Sequence, residues 1–161
     1  MNKKLCIIAA ACVLLTFGAF GSAAQAQDFI ACNNRLISGS YGFTLNGAKL
    51  AGPPGTPVGL QVGVAMAKFD GAGNFSQIDT VTIGGVTVAD FTHTPATGTY
   101  TVNSDCTGTF TINFTDGRPT VTTNFVVVNN GFEIDTVVTS AGGNQGILAT
   151  GSVGKRISHR R

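Results

Sequence analysis

From residue 38 onward the chain runs in short bursts of alternating β-branched, aromatic and polar residues, broken about every ten residues by Gly, Asn or Asp. Gly39-Ser-Tyr-Gly-Phe-Thr-Leu45, the run from Gln61 to Phe69 and the run from Asn74 to Ile83 open the series. Successive side chains on a strand leave on opposite faces, so alternation of this kind buries one face and wets the other. No helical period of useful length interrupts it. The pattern predicts an all-β fold in which an antiparallel sheet folds on itself as a sandwich or a barrel.

Strands are expected near 39–46, 61–70, 74–83, 86–93, 97–103, 107–115, 120–129, 131–140 and 145–153. The turns between them have physical causes. Asp70-Gly-Ala-Gly-Asn74 supplies glycines where positive φ is needed, between Phe69 and Phe75, and reads as a hairpin. Asn129-Asn130-Gly131 does the same, and Gly84-Gly85 and Asp116-Gly117 are further tight turns. Thr97-Gly-Thr-Tyr-Thr-Val102 recurs as Thr107-Gly-Thr-Phe-Thr-Ile112, which predicts a hairpin with Tyr100, Val102, Phe110 and Ile112 facing the core. Gly47 to Gly59, with Pro53, Pro54 and Pro57, is the long irregular stretch, either a flap over a barrel mouth or a linker. Closure is preferred to an open sandwich because it removes the sticky edges of a Val- and Thr-rich sheet. About eight strands leave room for packed side chains or one small ligand. An outer-membrane barrel needs a continuous apolar outer band, whereas Thr, Asn, Ser and Gln fill one phase of most strands.

The first 26 residues differ in kind. A basic Met1–Lys4, an apolar Leu5–Phe20 and a small-residue Gly21–Ala26 ending in Ala24-Gln25-Ala26 have the layout of a cleaved signal peptide, with the mature chain starting at Gln27. The apolar run is short of the roughly 20 residues a membrane span needs. No second apolar stretch follows, so no stable membrane insertion is expected after cleavage. A secreted or periplasmic bacterial protein is expected, with a signal peptide at 1–26, one barrel domain at 27–154 and a basic tail at 155–161. Cleavage removes Cys6 and Cys12 and leaves Cys32 and Cys106, an even pair that reads as one disulfide in an oxidising compartment. The alternative, a reactive or metal-binding thiol, has neither a Cys-x-x-Cys nor a nearby His to support it.

Lys155, Arg156, His159, Arg160 and Arg161 cluster at the C-terminus. Such a tail can touch nucleic acid, an anionic membrane or a polyanion, or can be a solvated end. No basic residues interleave with aromatics in the body, so nucleic acid is not an expected partner. The pattern sets no oligomeric state.

Cys32, Gly39-Ser-Tyr-Gly-Phe43, Phe69-Asp-Gly-Ala-Gly-Asn-Phe75, Gly98-Thr-Tyr-Thr-Val-Asn-Ser-Asp-Cys-Thr-Gly108, Phe125-Val-Val-Val-Asn-Asn-Gly131 and Ala149-Thr-Gly-Ser-Val-Gly-Lys-Arg156 form a recognisable set. Together they resemble a group of small secreted bacterial proteins associated with the allene oxide cyclase-like barrel, a calycin-type eight-stranded antiparallel fold. The resemblance covers nearly all of the mature chain and implies the Cys32–Cys106 bridge. The cyclase active-site pattern is missing, so no catalytic residue is carried over.

Chemistry is sparse. Glu133 and Asp135 leave one face of a strand about 7 Å apart, a separation an acid–base pair can use, but Phe132, Ile134, Thr136 and Val138 take the face that looks like the core. Asp70–Asn74 lacks most ligands of a calcium loop. His93 is a lone histidine, and no phosphate-binding, dinucleotide or zinc motif occurs. No metal or cofactor is expected. Two functions remain: non-catalytic binding of a small apolar ligand or a partner at the barrel mouth, and a cofactor-independent cyclase or isomerase. The first makes Tyr41, Phe43, Tyr100 and Phe110 the candidate ligand contacts. The second needs a polar group deep in the barrel, with Tyr41, Tyr100, Glu133 or Asp135 available.

Overall fold

The computed structural model describes residues 31–93, 95–141 and 146–157. The signal peptide expected at 1–26 and the end of the basic tail lie outside them. Nine strands follow one another: β1 (Gly39–Ala51), β2 (Gly59–Phe69), β3 (Asn74–Ile83), β4 (Val86–Ala89), β5 (Ala96–Val102), β6 (Thr107–Asn113), β7 (Val121–Val128), β8 (Glu133–Ala141) and β9 (Ile147–Arg156). Eight of them close a ring in the order β1-β2-β3-β5-β6-β7-β8-β9, every neighbour antiparallel, with β9 returning to β1. Among the described residues β4 pairs only with β3. The closed all-β barrel expected from the alternation is the fold.

The turns form where the residue types allow them. At 129–131 three consecutive residues take left-handed angles, Asn129 at φ 49°, Asn130 at 53° and Gly131 at 80°. Asn and Gly are the residues that visit this region readily, so a Val or Thr here would break the β7–β8 hairpin. At 70–73 the Asp70 carboxylate accepts from the backbone N–H groups of Ala72 (2.7 Å), Gly73 (3.0 Å) and Asn74 (3.0 Å). That fixes the hairpin in which Phe69 pairs with Phe75.

Gly47 to Ala51 continue β1 and pair with β9, which shortens the irregular stretch to 52–58. A Cβ at Gly47 would lie 2.2 Å from the Ala149 carbonyl oxygen, so the missing side chain lets the two strands approach.

The interior is packed by setting large residues against small ones. Cross-strand pairs place Phe43 beside Gly154, Phe75 beside Gly98 and Phe125 beside Gly108. A Cβ on any of the three glycines would fall 2.2–2.5 Å from the facing ring. Tyr41 and Phe43 pair with Ala67 and Ala65 of β2 in the same way. Alternation of large and small partners is what lets rings fill a narrow barrel at native density.

One end of the barrel, carrying the 70–73, 103–106 and 129–132 turns, is closed. A 3₁₀ turn at Asn34–Ile37 caps it and buries Ile37 fully. The Arg156 guanidinium reaches the Tyr41 hydroxyl (2.7 Å), the Gly131 carbonyl (3.1 Å) and the Leu36 carbonyl. Lys155 and Arg156 belong to β9, so the strand runs two residues into the stretch expected as tail. The Cys32–Cys106 disulfide ties the cap to the β5–β6 turn, with Cα atoms 5.0 Å apart and a sequence separation of 74. Closing a loop of that length restricts the unfolded chain by on the order of 4 kcal/mol.

Candidate functional site

The opposite end carries the 52–58, 84–85 and 114–120 segments and is built differently. Its interior holds a partly enclosed cavity of about 120 Å³. Phe43, Phe69, Phe75 and Phe110 form its floor, and Leu45, Val81, Ile83, Val121, Val138 and Leu148 contribute to its walls. The floor rings are mutually packed: the centroids of Phe69 and Phe75 lie 5.2 Å apart, and Phe110 stacks on Phe125 at 4.2 Å. Such a packed aromatic surface presents a large apolar face.

Polar side chains also line the cavity, and among the described residues all but one are paired. Thr150 donates to Gln61 (3.3 Å), Thr136 shares a hydrogen bond with Ser152 (2.7 Å), and Gln77 donates to Asp79 (3.4 Å). Thr123, 5 % exposed on β7, has a buried hydroxyl with no partner among the described residues. Lys49, buried at the same end, runs beside Gly52 beneath the 52–58 segment.

The cavity wall has a seam. β3 pairs with β5 over residues 74–77 and with β4 over 81–83, and among the described residues no ladder joins β4 to β6 or β7. Side chains cross the gap instead. Arg118, in the 114–120 segment, donates through both terminal nitrogens to the two oxygens of Asp79 (3.0 and 2.9 Å) and through Nε to Asp116 (2.9 Å). Its guanidinium carbon lies 3.9 Å above the Phe114 ring centroid. His93 Nε2 stands 3.2 Å from Asp79 and 3.1 Å from Arg118, while Nδ1 contacts the Asp90 carbonyl. Asp79 is 2 % exposed, so its charge is tolerable only because this bidentate partner meets it. Burial works to raise the Asp116 carboxyl, but the Arg118 backbone N–H and guanidinium outweigh it and hold the group below its ordinary value.

The expected contact residues divide between the two ends. Phe43 and Phe110 line the cavity. Tyr41 and Tyr100 are buried below its floor, where their hydroxyls are engaged: Tyr41 with Arg156 and the Gly131 carbonyl, Tyr100 donating to the Asn34 carbonyl (3.1 Å) and accepting from the Gly71 N–H (2.9 Å). Burial raises both phenols above their ordinary value, against the pull of Arg156 at Tyr41. Glu133 and Asp135 lie on the outward phase of β8, with Glu133 3.8 Å from Lys155, and neither lines the cavity. Phe132, expected on the core face, is exposed beside Arg156, because it sits in the turn before β8 where strand alternation has not begun.

Sequence reasoning missed the Asp79–Arg118–His93 group. One signal could have found it. Asp79 shares strand phase with Phe75, Val81 and Ile83, so it must point inward and needs a cation. Among the described residues no group of three or more His, Cys, Asp and Glu side chains is arranged to hold a metal ion. No protein-family model matches the chain, and comparisons with curated proteins and with solved structures find no match.

Proposed function

We propose that this barrel is an exported binding protein that takes a small apolar molecule into the cavity at its open end. The observation that carries the reading is the contrast between a floor of packed rings and about 120 Å³ left unfilled directly above it. Interiors are normally filled to crystal-like density. A concave, mostly apolar space with a few placed polar side chains is the form of a ligand site. The Asp79–Arg118–His93 bridge then acts as the side-chain closure of the wall that flanks the ligand. The disulfide and the signal-peptide layout support export to an oxidising compartment.

Anything that binds the folded state alone raises its stability by mass action. Thermal-shift measurements with a panel of small apolar compounds should therefore raise Tm, and native mass spectrometry of the purified protein should show a bound small molecule. If no compound in the panel raises Tm and only the bare mass appears, the reading fails.

A second reading, a cofactor-independent cyclase or isomerase of the allene oxide cyclase-like type, is favoured by one observation: Asp79 is a carboxylate in the cavity wall with a histidine beside it. It ranks below binding because both carboxylate oxygens are already taken by Arg118. Turnover of an unsaturated epoxide that survives in Asp79→Asn would remove Asp79 from any catalytic role.

A further inference from the structure

We propose, resting on the binding reading above, that the cavity selects an uncharged single-ring molecule bearing one hydroxyl or carbonyl group, and that Thr123 reads that group. Size comes first. An enclosed cavity of about 150 Å³ takes up a benzene ring. The space here is smaller, about 120 Å³, but only partly enclosed, so a single ring rests on the Phe floor with one edge in the mouth, whereas most of a long alkyl chain would lie outside.

Position comes second. In the barrel register Thr123 pairs with Phe110 of β6 and Val138 of β8, one inward step along β7 from Phe125. Thr123 therefore lines the cavity beside Phe110, one of the floor rings on which a bound ring would rest. Every other polar side chain of the lining described above is already paired, while the Thr123 hydroxyl is buried without a partner. A buried hydroxyl without a hydrogen bond is costly, and a ligand that supplies one recovers that cost. A threonine hydroxyl both donates and accepts, so a phenolic O–H or a ring carbonyl satisfies it equally.

Charge comes third. Among the described residues the lining holds one cation, Arg118, saturated by Asp79 and Asp116, while Lys49 lies outside the lining beside Gly52. An added carboxylate would find no free cation among the described lining residues and would meet Asp79.

Calorimetric titration of the disulfide-intact protein with p-cresol, toluene, benzoate and palmitate tests the idea. p-Cresol should bind about tenfold more tightly than toluene, the worth of one buried hydrogen bond, and benzoate and palmitate should not bind in the cavity. Thr123→Val should abolish the p-cresol advantage, leave toluene binding within about twofold, and raise Tm of the unliganded protein by removing the orphaned hydroxyl. Thr123→Ser, which keeps the hydroxyl, should retain the advantage and guards against a Val variant that fails to fold. Equal binding of p-cresol and toluene, an advantage that persists in Thr123→Val, or tight benzoate binding overturns the proposal while leaving cavity binding intact. Failure of both p-cresol and toluene to bind overturns the cavity reading together with it.

Discussion

The two ends of the barrel are made from the same eight strands yet solve opposite problems. At the closed end the interior is filled by Tyr41, Phe69, Phe75, Tyr100, Phe125 and Ile134, and the cap residues Asn34 and Ile37 finish it. At the open end, among the described residues, Val81, Ile83 and Ala89 form a small satellite cluster with Leu45 packed against it, and the space between it and the floor is the cavity. Each end also uses one arginine. Arg156 binds neutral groups, two carbonyls and a phenol, whereas Arg118 binds a buried carboxylate. The difference shows a division of labour: dense packing, the disulfide and Arg156 hold one half, which lets the other half keep unfilled volume.

Identical truncations at the two ends test that division most directly. Ile134 is fully buried among rings, while Ile83 faces the cavity. The cost of removing a buried side chain grows with the void it leaves and the contacts it loses. Ile134→Ala should cost about 4 kcal/mol and Ile83→Ala about 2 kcal/mol, read from urea denaturation followed by circular dichroism. Equal costs would mean that the open end is packed as tightly as the closed end.

The arginines sharpen the contrast. Arg118→Met strands the Asp79 carboxylate in the wall and should cost about 3 kcal/mol, because an uncompensated buried charge is far worse than no charge. Adding Asp79→Leu should restore most of that loss, since well-packed apolar residues can replace a buried ion pair at little cost. Arg156→Met should cost about 2 kcal/mol by leaving the Gly131 and Leu36 carbonyls short of a donor. No single apolar partner change can rescue it, because backbone carbonyls remain. Rescue at the closed end and none at the open end would invert the account given of both.

How far the chain could be read in advance follows the same divide. The closed end is built from local grammar: Asn129-Asn130-Gly131, Asp70-Gly-Ala-Gly-Asn74 and the Thr-Gly-Thr repeat place their turns where sequence reasoning put them. The open end depends on residues far apart in sequence. Asp79, His93 and Arg118 make no local motif and meet only because β3 leaves a seam that the 114–120 segment must cross.

β2 is misleading for a packing reason. Leu60, Val62, Val64 and Met66 are all exposed on the outer face, while the inner face carries Gln61, Ala65, Ala67 and Phe69. The alanines are there because Tyr41 and Phe43 of β1 need the space. Hydrophobicity alone points the strand the wrong way round, and only knowledge of the neighbouring strand corrects it. Arg156 is opaque for a related reason: in a cluster of basic residues, nothing marks the one whose strand phase turns it inward.

The smallest effect concerns acid, and it belongs to the closed end. The side-chain amide of Asn74, followed by the backbone N–H groups of Asn74, Ala72 and Gly73, holds the Asp70 carboxyl at about 2, below its ordinary value of 3.8. A carboxylate depressed in the folded state contributes stability above its unfolded value and loses it as pH falls through the folded one. The contribution of Asp70 should therefore be intact above about pH 4 and fade between about pH 4 and pH 2. Asp70→Asn keeps the shape but removes the charge, so the variant should be less stable than the parent at neutral pH. The gap between them should narrow across that window. Denaturant midpoints measured from pH 5 to pH 2 check it. A gap that stays constant over the range would show that the Asp70 charge does not hold the 70–73 hairpin, and that the closed end's stability comes from packing alone.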